Sequence, residues 1–195
     1  MAWGRRSKVV LVTGGSGFLG RHLLRADGRK GWEIVAPPSS MLDVADGRRV
    51  AEQISEWRPA VVIHLAYRRD DRRVIVDGSA AVARAAAKAR SRLIHMSTDV
   101  VFPGAMRPYD EDDLTRPATE YGRAKADAES AVFAEHPEAL VVRTSLLYGT
   151  TELAPIQQDV ADAIAGRSSM VFFTDEFRCP AHAADVGAAL VALAG

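Results

Sequence analysis

Apolar residues follow two rhythms along this chain, and the rhythms alternate. Lys8–Thr13, Trp32–Ala36, Ala60–Ala66, Arg92–Ser97 and Ala139–Ser145 are short, nearly continuous apolar runs. Runs of this length without polar alternation mark strands buried on both faces. Between them apolar positions recur every three or four residues, over Phe18–Ala26, Asp46–Trp57, Val74–Arg90 and Thr119–Glu135. In the second of these, Val50, Ile54 and Trp57 form one stripe. That spacing predicts helices. Strand and helix in strict alternation predict an α/β fold, a doubly wound parallel sheet with helices on both faces. Beyond residue 150 the pattern loosens. It predicts helices over 157–165 and 183–193 and a short strand near 170–173.

Composition narrows the class. The 195 residues allow one domain, or one domain and part of another. An apolar fraction of 48% with 26% charged residues excludes disordered, collagen-like and coiled-coil chains. Lys+Arg and Asp+Glu are 25 each, so no global basic field favours a nucleic acid. Cys179 is the one cysteine, which excludes an intrachain disulfide and a thiolate zinc cluster. The five histidines show no metal-ligand spacing. His64 and His95 fall in predicted strands and are expected to be packed. No stretch reaches the ~18 apolar residues of a membrane helix. The basic stretch 1–8 leads into an apolar run too short for a signal-peptide core. A cytoplasmic protein without nucleic-acid, membrane or metal partners is expected.

Two motifs carry chemistry. The first is the run from Thr13 to Gly20, between a predicted strand and a predicted helix. Glycines permit a tight turn and let backbone approach a pyrophosphate, and the helix start at Phe18, Leu19 and Gly20 offers N–H groups to it. The run parses as Gly15-x-Gly17-x-x-Gly20 or as Gly14-x-x-Gly17-x-x-Gly20. Either parse, in this strand–helix context, predicts a dinucleotide site and a Rossmann-like domain. The second predicted strand ends Val35-Ala36-Pro37-Pro38-Ser39-Ser40, with no acid to hold a ribose 2′-hydroxyl. Arg21 follows the third glycine and is either a 2′-phosphate contact or a solvated cation. NADP(H) is therefore preferred, with NAD(H) as the alternative.

The second motif is Tyr121-Gly122-Arg123-Ala124-Lys125. A spacing of four puts phenol and ammonium on one helix face. The ammonium is expected to lower the phenol pKa, making the pair a general acid/base for an alcohol or carbonyl. Ser97-Thr98-Asp99 ends a predicted strand, where active-site groups of open parallel sheets gather. Thr98 is thus a candidate partner for a carbonyl oxygen, or else a turn cap. Arg68, Arg69, Arg72 and Arg73, interspersed with Asp70 and Asp71, read as a solvated loop face or as diphosphate contacts. Asp110–Asp113 reads as a solvated acidic loop.

Together, Thr13–Gly20, Ser97–Phe102 and Tyr121–Lys125 resemble the extended short-chain dehydrogenase/reductases, most closely the dTDP-4-dehydrorhamnose reductases. The segments Pro108–Asp112, Arg116-Pro117, Glu120–Gly122, Arg143–Gly149 and Phe173–Pro180 are similar to that group as well. The resemblance implies Tyr121 as proton donor or acceptor, Lys125 as its pKa-lowering partner and ribose contact, and Thr98 as the group orienting a carbonyl. It implies Gly14, Gly17 and Gly20 around the pyrophosphate, Asp43 and Val44 at the adenine, and the backbone of Leu65 and Ala66 along the cofactor. It implies hydride transfer from NADPH to a nucleotide-linked 4-keto sugar, with a sugar-nucleotide substrate; a homodimer is a further expected partner, because an incomplete lobe would leave apolar surface to cover. Three departures stand out: Ile75 where many members carry Asn, Arg178-Cys179 where related reductases have Gly and a small residue, and Ala181 in place of Thr. Family members also continue past the position of Gly195. The expected organisation is a dinucleotide-binding domain over 1–150 and a partial substrate lobe over 151–195 packed on it. Two alternatives to the reductase stay open: a sugar-nucleotide epimerase or dehydratase, and a non-catalytic dinucleotide-binding regulatory protein.

Overall fold

In the computed structural model the described residues are 8–26, 31–105 and 107–195; the basic stretch considered above lies almost wholly outside them. The apolar runs form β1 (Val9–Thr13), β2 (Glu33–Val35), β3 (Val61–His64), β4 (Arg92–Thr98) and β5 (Leu140–Thr144). They pair in parallel in the order β2-β1-β3-β4-β5. The order reverses between β1 and β3, so a crevice opens outside the carboxyl ends of these two strands, where ligands of such sheets bind.

Alternation along each strand decides which helices it buries. Val10, Val12, Val61, Ile63 and Ile94 face one side, against Leu19 and Leu23 of α1 (Phe18–Arg25) and Leu190 and Ala194 of α6 (Ala183–Ala194). Leu11, Val62 and Leu93 face the other side. There they meet α2 (Gly47–Trp57), α3 (Gly78–Ala89) and α4 (Glu120–Glu135) through Val50, Ile54, Val82, Ala86 and Val132. Each such Val, Leu or Ile stabilises the fold by roughly 1.5–3 kcal/mol of burial. This is the predicted Rossmann-like architecture.

One local expectation is refined and one fails. The helix predicted over 74–90 forms, but its first turn, Arg73–Asp77, is π-helical and runs directly into regular α3 at Gly78. Gly78 lies against Val44, whose carbonyl a Cβ there would meet at 3.2 Å, so a loop crosses where a helix side chain would stand. The strand predicted near 170–173 is absent; these residues are exposed coil. They have apolar side chains but no neighbouring strand to take their backbone groups. The second, two-stranded sheet instead pairs β6 (Leu147–Tyr148) with β7 (Ala181–His182), flanking α5 (Pro155–Ile164).

Candidate active site

The turn after β1 is built by what its glycines lack. Gly14 has φ +74°, and a Cβ there would stand 2.6 Å from the amide nitrogen of Ala66. Only glycine lets the ends of β1 and β3 approach so closely. Gly17 donates its N–H to the Gly14 carbonyl at 3.0 Å and then caps α1 in extended conformation. No side chain caps that helix start. The N–H groups of Phe18, Leu19 and Gly20 thus begin a helix with no side-chain oxygen to satisfy them, at the positive end of its dipole. This cradle fits a dinucleotide pyrophosphate.

A buried polar chain holds the two strand ends together. Ala66 donates its N–H to Thr13 Oγ1 at 3.3 Å, and Thr13 Oγ1 lies 2.6 Å from His64 Nδ1. On the other side of the ring, His64 Nε2 lies 3.0 Å from Ser79 Oγ, which donates to the Ile75 carbonyl at 2.6 Å. One tautomer satisfies every member: Thr13 donates to Nδ1, and Nε2–H donates to Ser79. It requires a neutral ring, and burial, helped by Lys125, pushes the His64 pKa down to about 3. His95 packs its ring 5.3 Å from that of His64 and is likewise buried, as expected.

Other candidates for the nucleotide fall in different places. Arg21 turns to the loop after β6, where its guanidinium pairs with Glu152 and takes the Ser16 carbonyl. It is a part-exposed surface cation, already engaged by a carboxylate. Asp43 is exposed and folds back to accept the Ala45 N–H at 3.0 Å, while Val44 is buried under α3. The cation that reaches the segment after β2 is Arg49, whose Nη1 donates to the Ser40 carbonyl at 3.1 Å. It lies in the first turn of α2, and its own N–H is taken by the Asp46 cap. No motif spacing marks it; only the folding of α2 beside residues 39–40 does.

At the far side of the crevice, β4 ends at Thr98 and passes into a 3₁₀ turn, Asp99–Val101. The start of α4 closes on this turn because Gly122 has no Cβ to strike the Val100 carbonyl and the Pro117 ring. Thr119 caps the helix through the Gly122 N–H at 3.0 Å. The result brings Tyr121 beside Asp99 and buries Lys125, whose Nζ donates to the Met96 carbonyl at 2.6 Å. Burial pulls the Lys125 pKa down to about 8 against the opposing pull of Glu129.

The Tyr121 phenol moves opposite to the direction that the Tyr–Lys spacing predicts. Burial pushes it up to about 12; Tyr67 and Asp99 add to the rise, and Arg69 opposes it. The ammonium of Lys125 is directed at the Met96 carbonyl instead. Arg69 stands 5.1 Å over the Tyr121 ring, so this one arginine of the cluster belongs to the site. Arg68 and Arg72 are ion-paired to Asp71 and Asp127 on the surface. Asp99 is held by Arg178, 79 residues away, a contact that no local pattern signals. Among the described residues no group of His, Cys, Asp and Glu is placed to hold a metal ion.

The family model described as "RmlD substrate binding domain" matches residues 8–195. The chain belongs to this family. A dTDP-4-dehydrorhamnose reductase of Mycobacterium tuberculosis is 36% identical over 206 residues, covering 97% of this chain and 66% of that protein. The methionine adenosyltransferase 2 subunit beta of Pongo abelii is 34% identical over 163 residues, covering 75% of this chain and 49% of that protein. Among solved structures, a dTDP-4-dehydrorhamnose reductase of Bacillus anthracis in complex with NADP superposes with a TM-score of 0.84 at 27% identity. That match covers 97% of this chain and 71% of the other. This RmlD-family chain therefore spans just under two thirds of the Mycobacterium reductase and about half of the Pongo subunit.

Proposed function

We propose that this chain reduces the 4-keto group of a nucleotide-linked sugar, with NADPH as the preferred cofactor and NADH as the alternative. One observation carries the reading. An uncapped glycine-turn helix start and the set Thr98, Tyr121 and Lys125 lie at the same carboxyl edge of a doubly wound sheet. The dTDP-4-dehydrorhamnose reductases to which the chain is similar supply the substrate class.

When bound, the nicotinamide supplies the hydride. The chain's residues handle the oxygen. The Thr98 hydroxyl donates a hydrogen bond to the carbonyl oxygen and orients it. Tyr121 is neutral across the physiological range, because burial holds its pKa near 12. It therefore acts as the acid: its O–H bond breaks as the proton passes to the new alkoxide. A weak acid of this kind still protonates an alkoxide downhill. Arg69, over the ring, and Lys125, one helical turn on, are the cations that would stabilise the phenolate left behind. Asp99, the acid that a dehydratase would need free beside Thr98, is committed to Arg178, which supports reduction over dehydration.

The test is NADPH oxidation with dTDP-4-dehydrorhamnose. Tyr121→Phe should lower kcat by about 10²–10⁴-fold while leaving NADPH affinity unchanged. Equal turnover by parent and variant overturns the assignment. A second reading, a dinucleotide-binding subunit without turnover, draws on the likeness to the Pongo subunit. NADPH binding without reduction of the sugar nucleotide would favour it.

A further inference from the structure

Arg178 belongs to the coil between α5 and β7, where Val171, Phe173 and Phe177 are exposed. Its guanidinium leaves that coil and crosses to the turn after β4. Nη2 lies 2.5 Å from Asp99 Oδ1 and Nε lies 2.9 Å from Asp99 Oδ2, while Nη1 takes Glu176 Oε1 at 2.8 Å. The two side chains of the Arg178–Asp99 pair are only 20% and 32% exposed. A two-point, partly buried pair of this kind is both stronger and more directional than a surface ion pair.

Asp99 stands where its charge matters. The Thr98 hydroxyl donates to Asp99 Oδ1 across 3.3 Å, a long bond. The same carboxylate bears on the Tyr121 phenol, which faces Tyr67 and Arg69 from the loop after β3 and Asp99 from the turn after β4. On its own helix the charged neighbour is Lys125, turned to Met96. A bare carboxylate here would hinder a ketone reduction twice. It would draw the Thr98 proton to itself, and it would oppose the negative charge that builds on the substrate oxygen and then on Tyr121.

We propose that Arg178 is a positioning residue for the reduction: its two-point grip on Asp99 cancels a carboxylate charge beside Thr98 and Tyr121, leaving the hydroxyl and the phenol to the substrate's carbonyl oxygen. The proposal rests on the reductase reading above. It also gives a role to an arginine at a position where small residues are expected.

Four forms of the full chain test it: parent, Arg178→Ala, Asp99→Asn and the double variant. With dTDP-4-dehydrorhamnose and NADPH, Arg178→Ala should lower kcat about tenfold with little change in KM for the sugar. Asp99→Asn and the double variant should stay within about threefold of the parent, because removing the carboxylate removes the need for its partner. If Arg178 merely tethers the coil, Asp99→Asn, which removes the charge and one of the two acceptors of the grip, must be impaired in the same direction as Arg178→Ala, beyond about threefold; that result overturns the proposal. A second readout needs no turnover. With 13C-labelled tyrosine, and Tyr121→Phe to assign the signal, Tyr121 ionisation should begin at the lowest pH in Asp99→Asn, then in the parent, then in Arg178→Ala. Coincident onsets overturn the proposal. An inactive parent counts against the reductase reading instead, and the order of ionisation then decides the effect of Arg178 on its own.

Discussion

Arg143 and Glu129 meet where β5 passes under α4, with Nη2 2.8 Å from Oε2 and Nε 3.1 Å from Oε1. Ser97 donates to the same carboxylate from β4. The outer face of the guanidinium lies 5.0 Å from the Phe102 ring, which stacks on Tyr109 at 4.2 Å, and Nη1 takes the Glu111 carbonyl at 3.1 Å. One ion pair thus joins two strands, the helix of Tyr121 and Lys125, and the loop leading into that helix.

Because Glu129 is almost fully buried, removing its charge strands Arg143 and leaves Ser97 without its acceptor. Glu129→Ala should lower the unfolding free energy by about 3 kcal/mol, the usual cost of breaking a buried pair from one side. Urea denaturation of parent and variant measures it, and a loss below about 1 kcal/mol would show that water replaces the carboxylate.

Gly14→Ala should damage nucleotide binding. The new methyl would meet the Ala66 nitrogen at 2.6 Å, and the backbone there has φ +74°. We expect a loss of at least about tenfold in NADPH affinity and a destabilisation of about 1 kcal/mol or more. Titration by nucleotide fluorescence and a thermal melt read the two effects separately.

Arg49 should discriminate NADPH from NADH, since it is the cation at the Ser40 carbonyl and Arg21 is engaged by Glu152. Arg49→Ala should weaken NADPH by about tenfold, the worth of one charge-assisted phosphate contact, and leave NADH unchanged. Arg21→Ala should weaken both cofactors equally or neither. Reversal of these two patterns would return the 2′-phosphate to Arg21.

Lys125 makes stability depend on alkaline pH. Its pKa falls from 10.5 to about 8 on folding. Between those values the unfolded chain binds the proton and the folded chain does not, so stability rises with pH through this window. Below about pH 8 both states carry the charge, and the folded state bears the cost of burying it. Relative to Lys125→Met, the parent should therefore gain about 3 kcal/mol between pH 8 and 10.5. Chemical denaturation of both proteins at several pH values tests the sign; a flat difference would mean that the amine is solvated.

The rhythm of apolar runs and helical stripes, the glycine turn and the four-residue step from Tyr121 to Lys125 were legible in the chain itself. Each depends on residues close in sequence: a strand's side-chain period, a turn's demand for positive φ, a helix's pitch. Tertiary structure alone decided the rest. Arg21 finds Glu152 131 residues on, Asp99 finds Arg178 79 residues on, and His64 bridges Thr13 and Ser79 from opposite sides of its ring. The strand expected at 170–173 fails for the same reason, since a strand exists only where a partner edge is waiting. The direction of the Tyr121 pKa belongs here too. The spacing to Lys125 is local, but burial depends on what the whole fold packs around the ring, and here it outweighs the one opposing cation, Arg69.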